Sequence, residues 1–441
     1  MCVKHRPMSA RSDSVELIIL LLLILAALLY FGVPVAIALA MSASAILVVL
    51  DIPMIVAVQR MASGLDVFVL LAIPLFIFAG DLMNQSGIAR RLLRLADAIV
   101  GKAPGGLGQV TILASMLFGA VSGSAVASAS ALGSTLGPEM KEKGYDADFA
   151  VNVTTTASIT GLLIPPSHNM IIYAAAAGAG VSVGDLFLGG ILPGVVTGVI
   201  LMGVAAVVAT RRGYPPGSFP GWRALLVSAL VAVPGILTAV IVVGGILAGI
   251  FTPTESAAIA TVYTFIIAII VYRSLSWTAF VTAVTNAVKT TSMVMFVIAA
   301  AGLFGWVLAV LRAPERLALL MDPVLGNFIA TMLIINLILL VLGTFMDMAP
   351  LILISTPIFL PIAMAAGMDP VQFGVMLMLN LGIGLVTPPV GAVLFVGCAI
   401  QNIPVGRVLR TIWPFYLALV AALMVITFLP GVTLYLPSLF K

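Results

Sequence analysis

The fold follows from two short stretches, Gly161-Leu162-Leu163-Ile164-Pro165-Pro166-Ser167 and, 223 residues later, Gly384-Leu385-Val386-Thr387-Pro388-Pro389-Val390. Each carries a double proline inside an apolar segment that is long enough to cross a bilayer. Proline removes a backbone donor and clashes with the preceding turn, so we expect a helix to break at each stretch. In lipid, broken backbone persists only where protein or a water-filled cavity satisfies its polar groups. Two such breaks in corresponding places of two halves predict a transporter whose binding site lies near the middle of the membrane.

The composition indicates an all-α polytopic membrane protein. Hydrophobic residues make up 62% of the chain and charged residues 8%, whereas soluble domains carry roughly a quarter charged residues. At about 20 residues per crossing, the 441 residues leave room for about ten transmembrane helices and some re-entrant pieces. The net charge of +4 lies in loops, so it indicates orientation in the lipid bilayer and not nucleic-acid binding. Cys2 and Cys398 provide no disulfide framework.

The first half, residues 1–212, divides into five parts. It predicts scaffold helices over 17–86, an in-plane arm over 88–100, a re-entrant hairpin over 107–137, a broken helix over 149–177 and a helix over 186–210. The scaffold part is expected to hold three crossings, 17–31, 34–50 and 65–86, with a loop from Asp51 to Gln59. The hairpin prediction follows from its many small residues, which let two half-helices approach closely around a tip at 122–124.

The second half, residues 225–441, repeats this order after a linker over 213–224. It predicts scaffold helices over 225–311, an arm over 313–326, a hairpin over 328–365 with its tip at 343–350, a broken helix over 372–398 and a helix over 409–430. Each half then has five full crossings. Because five is odd, the halves must have opposite orientations, which is an inverted structural repeat.

The positions of the basic residues agree with this topology. Those expected on one side, which the positive-inside rule makes cytoplasmic, are Arg90, Arg91, Arg94, Lys102, Lys141, Lys143, Arg211, Arg212, Arg223, Arg273, Arg407 and Arg410. The N-terminal basic residues and the second arm (Arg312, Arg316) disagree with the rule. A single crossing over 17–50 would move the N-terminus inside, but it would destroy the repeat.

The chain resembles the large membrane subunit of the tripartite ATP-independent periplasmic (TRAP) transporters. The matching stretches are 70–80, 122–124, 161–167, 251–256, 347–350 and 384–391. The resemblance implies an elevator-type transporter in the bacterial inner membrane. It also implies uptake of an organic acid, such as a C4-dicarboxylate or sialic acid, driven by sodium ions. Its implied partners are a periplasmic substrate-binding protein, which hands over the substrate, and a small four-helix membrane subunit.

Two candidate sodium sites combine a hairpin tip with a break. Sodium prefers oxygen ligands, which unwound backbone and small hydroxyl side chains supply. The candidate ligands of the first site are Ser122, Ser124, Gly161, Pro166 and Ser167. Those of the second site are Gly343, Thr344, Asp347, Gly384 and Thr387. The structural alternative for each hydroxyl is a bond back to a carbonyl of its own helix. No cofactor other than the coupling ions is expected.

Asp347 is the most specific single candidate. An acidic group at membrane depth costs about 2.5–3.5 kcal/mol on insertion scales, and a bound cation would offset that cost. The alternative is a solvated position near the outer surface. Asn169 and Arg60 are candidate substrate ligands, although Arg60 could equally be a loop residue at the lipid headgroups. His168 fits a packing role, and Glu255 fits a helix cap.

Three other readings compete with this one. A one-component ion-coupled carboxylate or anion transporter would share the repeat and the hairpins. A membrane-embedded enzyme would need a cluster of catalytic groups or metal ligands, and the sequence contains only two histidines and two cysteines. A passive channel would need a continuous pore, whereas two broken helices at mid-depth favour an occluded site.

Overall fold

The structure is a computed structural model that describes residues 12–178, 180–217, 219–317, 319 and 326–440, and these residues form helices without any strand. The helices of the first half are α1 Ser12–Tyr30, α2 Val35–Val49, α3 Ile55–Leu65, α4 Ala72–Gln85, α5 Ile88–Val100, α6 Gly106–Ser122, α7 Ala125–Glu142, α8 Ala147–Ser158, α9 Thr160–Leu163, α10 His168–Ala177 and α11 Val183–Arg211. A 3₁₀ turn, Phe68–Leu71, precedes α4.

The second half begins with α12 Trp222–Leu247, α13 Pro253–Ile266 and α14 Trp277–Val310. It continues with α15 Phe328–Gly343, α16 Met348–Ala365, α17 Pro370–Leu385, α18 Ala392–Gln401, α19 Val405–Leu409, α20 Trp413–Phe428 and α21 Pro430–Leu439. A π-helical turn, Ile267–Val271, extends α13. Half of the predicted second arm, 313–326, lies outside the described residues, namely 318 and 320–325.

Both double prolines interrupt helices, as the sequence predicts. The axis bends by 49° between Ala147–Leu163 and His168–Ala177. The second interruption is longer, since α17 ends at Leu385 and α18 begins at Ala392. Each double proline contains a cis peptide bond. At each break, several backbone N–H and C=O groups therefore form no helical hydrogen bonds.

The described residues contain six helices that are long and apolar enough to cross a membrane, or eight if each bent pair is one span. The sequence analysis predicted ten. The difference arises because several predicted crossings are short, such as Val35–Val49 and Pro370–Leu385. Conversely, Met348–Ala365 meets the criterion although it is one arm of a predicted hairpin.

Several predicted boundaries were wrong. The predicted loop from Asp51 to Gln59 is half helical, because α3 begins at Ile55. The linker 213–224 is shorter, because α12 begins at Trp222. The chain also does not end its helices at 430. Pro430 is the first residue of α21, a position where proline fits a helix because its missing N–H has no intrahelical partner there.

The broken helices exchange partners between the halves. The segment before each break packs on the hairpin of its own half, α8 on α6 and α7, and α17 on α15 and α16. The segment after each break packs on the opposite hairpin, α10 on α16 and α18 on α7. The Tyr173 hydroxyl donates to the Pro370 carbonyl oxygen over 2.6 Å and joins the two broken helices directly. The main hydrophobic core therefore surrounds the breaks and the hairpins.

The remaining helices surround this core. Helix α14 packs on α2, α3 and α4, and α13 packs on α4. The arm α5 is amphipathic, and its buried residues, Ile88, Leu92 and Leu95 among them, face α12 and α6. A helix with one apolar stripe and a basic opposite face is typical of an interfacial position in a membrane.

Candidate functional site

The tip of the first hairpin lies on the first break. A methyl group on Gly123 would lie 3.2 Å from the Pro166 carbonyl oxygen and 3.2 Å from Nδ1 of His168. One turn earlier the backbones also touch, since a methyl group on Gly119 would lie 2.0 Å from Cα of Gly161. Only glycine allows this approach, because any Cβ would overlap the facing backbone. The break itself is buried from Pro165 through Ser167.

The tip of the second hairpin lies on the second break in the same way. The Val390 amide donates to the Thr344 carbonyl oxygen over 3.0 Å. A methyl group on Gly384 would lie 2.5 Å from the Gly343 carbonyl carbon and oxygen. This break is less covered than the first, because Thr387 and Pro388 are half-buried while Pro389 is exposed.

Among the candidate ligands that the structure describes, Ser167 has a buried hydroxyl that lacks a partner. Its side chain is fully buried, and its hydroxyl has no hydrogen-bond partner among the described residues. It occupies the N-cap position of α10 without capping it. Asn169, in the next turn, is 5% exposed. A buried hydroxyl without a partner costs about 1–3 kcal/mol, which an ion or a water at this break would relieve.

Other candidate hydroxyls already have protein partners. Ser124 is the N-cap of α7 and accepts from the Ala127 amide over 3.3 Å. The Thr344 hydroxyl donates to the Val341 carbonyl over 2.8 Å, and the Thr387 hydroxyl donates to the Ile383 carbonyl over 2.7 Å. These threonine bonds follow the structural alternative of back-bonding within a helix. The side chain of Ser122 lies outside the described part of the structure.

Asp347 is exposed, and its carboxylate accepts from the Met348 amide over 2.8 Å at the N-cap of α16. The carboxylate forms no ion pair among the described residues. Beyond this tip, the hydroxyl of Tyr416 donates to the Val386 carbonyl oxygen over 2.5 Å. One unwound carbonyl of the second break is therefore occupied by the protein itself.

The structure does not bring Arg60 to either break. Arg60 lies in α3 and not in a loop, and its guanidinium stands 4.8 Å from the centroid of the Trp306 ring. That cation–π contact gives the charge a partner between two scaffold helices. Glu255 forms the predicted cap, since its carboxylate accepts from the Thr252 amide over 2.8 Å in a reciprocal capping box.

Sequence reasoning missed Asp81. It lies in the apolar helix α4, is half-buried, and lines a cavity of about 90 Å³ together with Asn84, Ser124 and Thr290. Within the described part of the chain its carboxylate has no hydrogen bond or ion pair. Asp81 is an acidic residue inside an apolar span, where a charge costs about 2.5–3.5 kcal/mol unless a cation offsets it. Only the fold reveals that this acid faces the first hairpin tip.

A charged cluster anchors the start of the first broken helix. Arg212 contacts Asp146 over 3.2 Å and Asp148 over 3.0 Å, and the side chain of Asp148 is only 6% exposed. The Tyr214 hydroxyl donates to Asp146 over 2.7 Å. Burial raises the pKa of the Tyr214 phenol, so at neutral pH it keeps the proton that it donates. At the matching place in the second half, Asp369 instead caps α17 through the Val371 amide.

Comparison with known proteins assigns the chain to a family. The sequence model of the tripartite ATP-independent periplasmic transporter DctM component matches residues 22–432. The chain belongs to this family. It is 41% identical to the C4-dicarboxylate TRAP transporter large permease protein DctM of Pseudomonas aeruginosa, over 84% of this chain and 86% of that protein. It is 38% identical to the sialic acid TRAP transporter large permease protein SiaM of Vibrio cholerae, over 94% and 96%.

Among solved structures, the chain is similar to the YdaH transporter of Alcanivorax borkumensis. The TM-score is 0.60 at 14% identity, over 85% of this chain and 87% of that one. At this identity the likeness concerns the fold alone. The relatives named above are transporter permeases, which places this DctM-family chain among membrane transporters.

Proposed function

We propose that the chain is the large permease of a sodium-driven transporter that takes up an organic acid across the bacterial inner membrane. Its family supports this directly, since the relatives named above carry C4-dicarboxylate or sialic acid. Both cargoes are carboxylates. The α10 and α18 helices begin immediately after the two breaks, and helix N-termini attract carboxylates.

The observation that best supports sodium coupling is the contact between the first break and the tip of the first hairpin. Ser167 offers a buried hydroxyl without a partner, and the Pro166 carbonyl oxygen faces Gly123 of the tip. A sodium ion there would be held by Ser167, Pro166 and Gly161 from the break and by Ser122 and Ser124 from the tip. The second ion would be held by Gly343, Thr344, Asp347, Gly384 and Thr387. These are hard oxygen ligands of the kind that sodium prefers.

The proposed motion is that of an elevator built on an inverted repeat. The reciprocal packing of α10 on α16 and of α18 on α7 supports a two-fold relation between the halves. Each broken helix packs on both hairpins, so hairpins and broken helices would move together as the transport domain. The helices α1, α2, α3, α4, α13 and α14 would form the scaffold against which that domain slides.

The proposed partners are a periplasmic substrate-binding protein and a small membrane subunit. The family description, a component of a tripartite periplasmic transporter, supports both. The competing proposal is a one-component transporter that needs neither. The two differ in whether the chain accepts free substrate.

Uptake of labelled carboxylates into proteoliposomes tests the proposal. The reconstituted permease with its small subunit should accumulate substrate only when a sodium gradient and the cognate binding protein are both present. Potassium in place of sodium is the ion control, and a non-cognate binding protein is the partner control. Accumulation without any binding protein would establish the one-component alternative. Equal uptake with potassium would overturn sodium coupling.

The Asp347→Asn variant tests the second ion site in the same assay. We expect the sodium concentration for half-maximal uptake to rise by about tenfold or more, since a charged ligand contributes more than about 1.4 kcal/mol. The asparagine can still accept from the Met348 amide and cap α16. An unchanged sodium response at normal expression would remove Asp347 from the site.

A further inference from the structure

A second polar site lies on the arm α5, and none of its described lining residues belongs to the hairpins or the breaks. It is a cavity of about 380 Å³ where α4, α5 and the segment after α13 meet. Its lining includes Gln85, Ser86, Arg90, Arg91, Arg94 and Ser274. Three of these six side chains are arginines. Nothing in the proposed transport cycle uses them.

One arginine is fixed and shapes the cavity. The Arg91 guanidinium donates to the carbonyl oxygens of Ser86 and Gly87, both over 3.1 Å, and stacks 3.8 Å from the centroid of the Tyr272 ring. The Ser274 hydroxyl donates to the same Ser86 carbonyl over 2.7 Å. These bonds tie the loop after α13 to the start of the arm, so the cavity has a rigid wall.

The other two arginines supply free charge. Arg90 and Arg94 are four residues apart on one face of α5, and both are exposed. Neither forms an ion pair with any residue that the structure describes. The only acid in the arm sequence is Asp97, one turn beyond Arg94, and it does not line the cavity. Arg273, next to Ser274, adds a further positive charge at the rim.

The surroundings of the cavity are apolar and exposed. Ile270 and Val271, which directly precede Tyr272, are 64% and 52% exposed. Trp277, three residues after Ser274, is 77% exposed, and tryptophan is enriched at the membrane–water interface. A basic cavity beside exposed aliphatic side chains matches a lipid, with a headgroup in the cavity and acyl chains along the aliphatic surface.

We infer that this cavity binds the phosphate-bearing headgroup of an anionic phospholipid. Guanidinium groups bind phosphate oxygens through directed pairs of hydrogen bonds, and Arg90 and Arg94 are free to do so. A soluble phosphate would satisfy the same donors. The exposed apolar flank and the interfacial arm favour the lipid. Basic side chains near an anionic membrane surface each change affinity by roughly fivefold.

Lipid binding to the purified full-length protein tests the inference. The wild type and the Arg90→Gln/Arg94→Gln variant are delipidated in detergent and titrated with phosphatidylglycerol, with phosphatidylcholine and with inorganic phosphate. Bound lipid is counted by native mass spectrometry, and thermal stability is followed in parallel. We expect the double variant to bind phosphatidylglycerol roughly 25-fold more weakly, from two basic groups at about fivefold each. We also expect salt to weaken the wild-type interaction.

The matched control is Arg407→Gln/Arg410→Gln, which removes two exposed cations outside the cavity. It should bind phosphatidylglycerol as the wild type does. Equal losses in both double variants would mean nonspecific attraction to an anionic surface and would overturn the site. Stabilisation by inorganic phosphate equal to that by phosphatidylglycerol would overturn the lipid as its source. Because Arg90 and Arg94 are exposed, the variant is expected to fold, and an unchanged melting temperature without lipid verifies this.

Discussion

The two hairpin tips have similar backbones, but their N-cap residues differ in charge. Ser124 caps α7 with a hydroxyl, whereas Asp347, 223 residues later, caps α16 with a carboxylate. The first tip nevertheless has an acid beside it, because Asp81 of α4 lines the same cavity as Ser124. The first tip therefore depends on a scaffold helix for its negative charge, and the second carries its own. Under the proposed motion, only the first would lose its carboxylate.

The two breaks also differ, in their exposure. The first is buried from Pro165 through Ser167, and the second is exposed at Pro389. The first half therefore combines a neutral tip with a buried break, whereas the second half combines an acidic tip with a partly exposed break. The two candidate ion sites thus differ in both charge and exposure. Substitutions in corresponding parts of the two halves should consequently have unequal effects, and each pair below tests one part of this difference.

The largest difference in stability is expected at the glycines where each hairpin contacts its break. Gly119→Ala would place a methyl group 2.0 Å from Cα of Gly161, whereas Gly343→Ala would place one 3.4 Å from Cα of Gly384. We expect the first to destabilise the protein by about 3 kcal/mol, as overpacking does, and to abolish uptake. The second should be tolerated, since 3.4 Å is an ordinary contact. Thermal unfolding in detergent measures both, and equal melting temperatures would contradict the tight first contact.

The second comparison concerns the residues that hold the start of each broken helix, Arg212 in the first half and Asp369 in the second. Their substitutions should lower the free energy of unfolding by different amounts. Arg212→Gln leaves Asp148, with a 6% exposed side chain, without its cation. We expect a loss of about 2 kcal/mol, below the range for fully buried pairs because Arg212 is partly exposed. Asp369→Ala removes only a helix cap, at about 1 kcal/mol. Unfolding midpoints at low and high salt distinguish the two, since only the Arg212 variant should lose the salt dependence of the wild type. A larger loss for Asp369→Ala would reverse the comparison.

The sequence predicts the helices and breaks well because hydropathy and proline act locally. Most errors occur where a single residue was over-interpreted. Gln59 and Arg60 suggested a loop, but the structure continues a helix through both and satisfies Arg60 by stacking it on Trp306. The last predicted crossing ended at 430, but proline also begins helices, and α21 starts at Pro430.

The candidate site is harder to predict because it depends on distances between separate segments. The double prolines indicate where backbone is released, and small residues indicate where a hairpin tip can approach. Neither reveals which hydroxyls keep protein partners, as Thr344 does, and which remain without one, as Ser167 does. Asp81 illustrates the same limit, because its relation to Ser124 exists only after α4 packs beside the hairpin.

Ser167 lies in the first break and Thr387 lies in the second. Loss of the hydroxyl should change sodium affinity more at Ser167 than at Thr387. Ser167→Ala should raise the sodium concentration for half-maximal uptake about tenfold, the value of roughly one good ligand. Stability without sodium should stay equal or rise, because the variant removes an unpaired buried hydroxyl. Thr387→Val removes a hydroxyl that donates to its own helix and keeps the carbonyl oxygen through which Thr387 would hold the second ion, so sodium affinity should change by about twofold at most. A sodium-free loss of stability in Ser167→Ala would indicate a structural role instead.

At Asp81 we expect a smaller effect than at Ser167, and it should depend on the side of the membrane. Asp81 is half-buried, so the dielectric of water sets the lower limit of its effect. At that limit, one charge several Å from an ion contributes about 0.6 kcal/mol, or about threefold in affinity. Asp81→Asn should therefore weaken sodium binding about threefold from the side on which α4 meets the first tip. Sodium binding from the opposite side should stay unchanged, because the hairpin would then have left α4. Asp347→Asn, by contrast, should weaken binding from both sides, since its carboxylate moves with the hairpin.

A charge-relocation variant completes this test. Asn84 lines the same cavity one turn from Asp81, so Asp81→Asn/Asn84→Asp restores the negative charge at a neighbouring position. Recovery of sodium affinity would show that Asp81 acts through its field and not through direct ligation, which would demand one fixed position. The threefold effect should also shrink at high ionic strength. Equal weakening from both sides would contradict the division of the two tips, because it would tie Asp81 permanently to the moving hairpin.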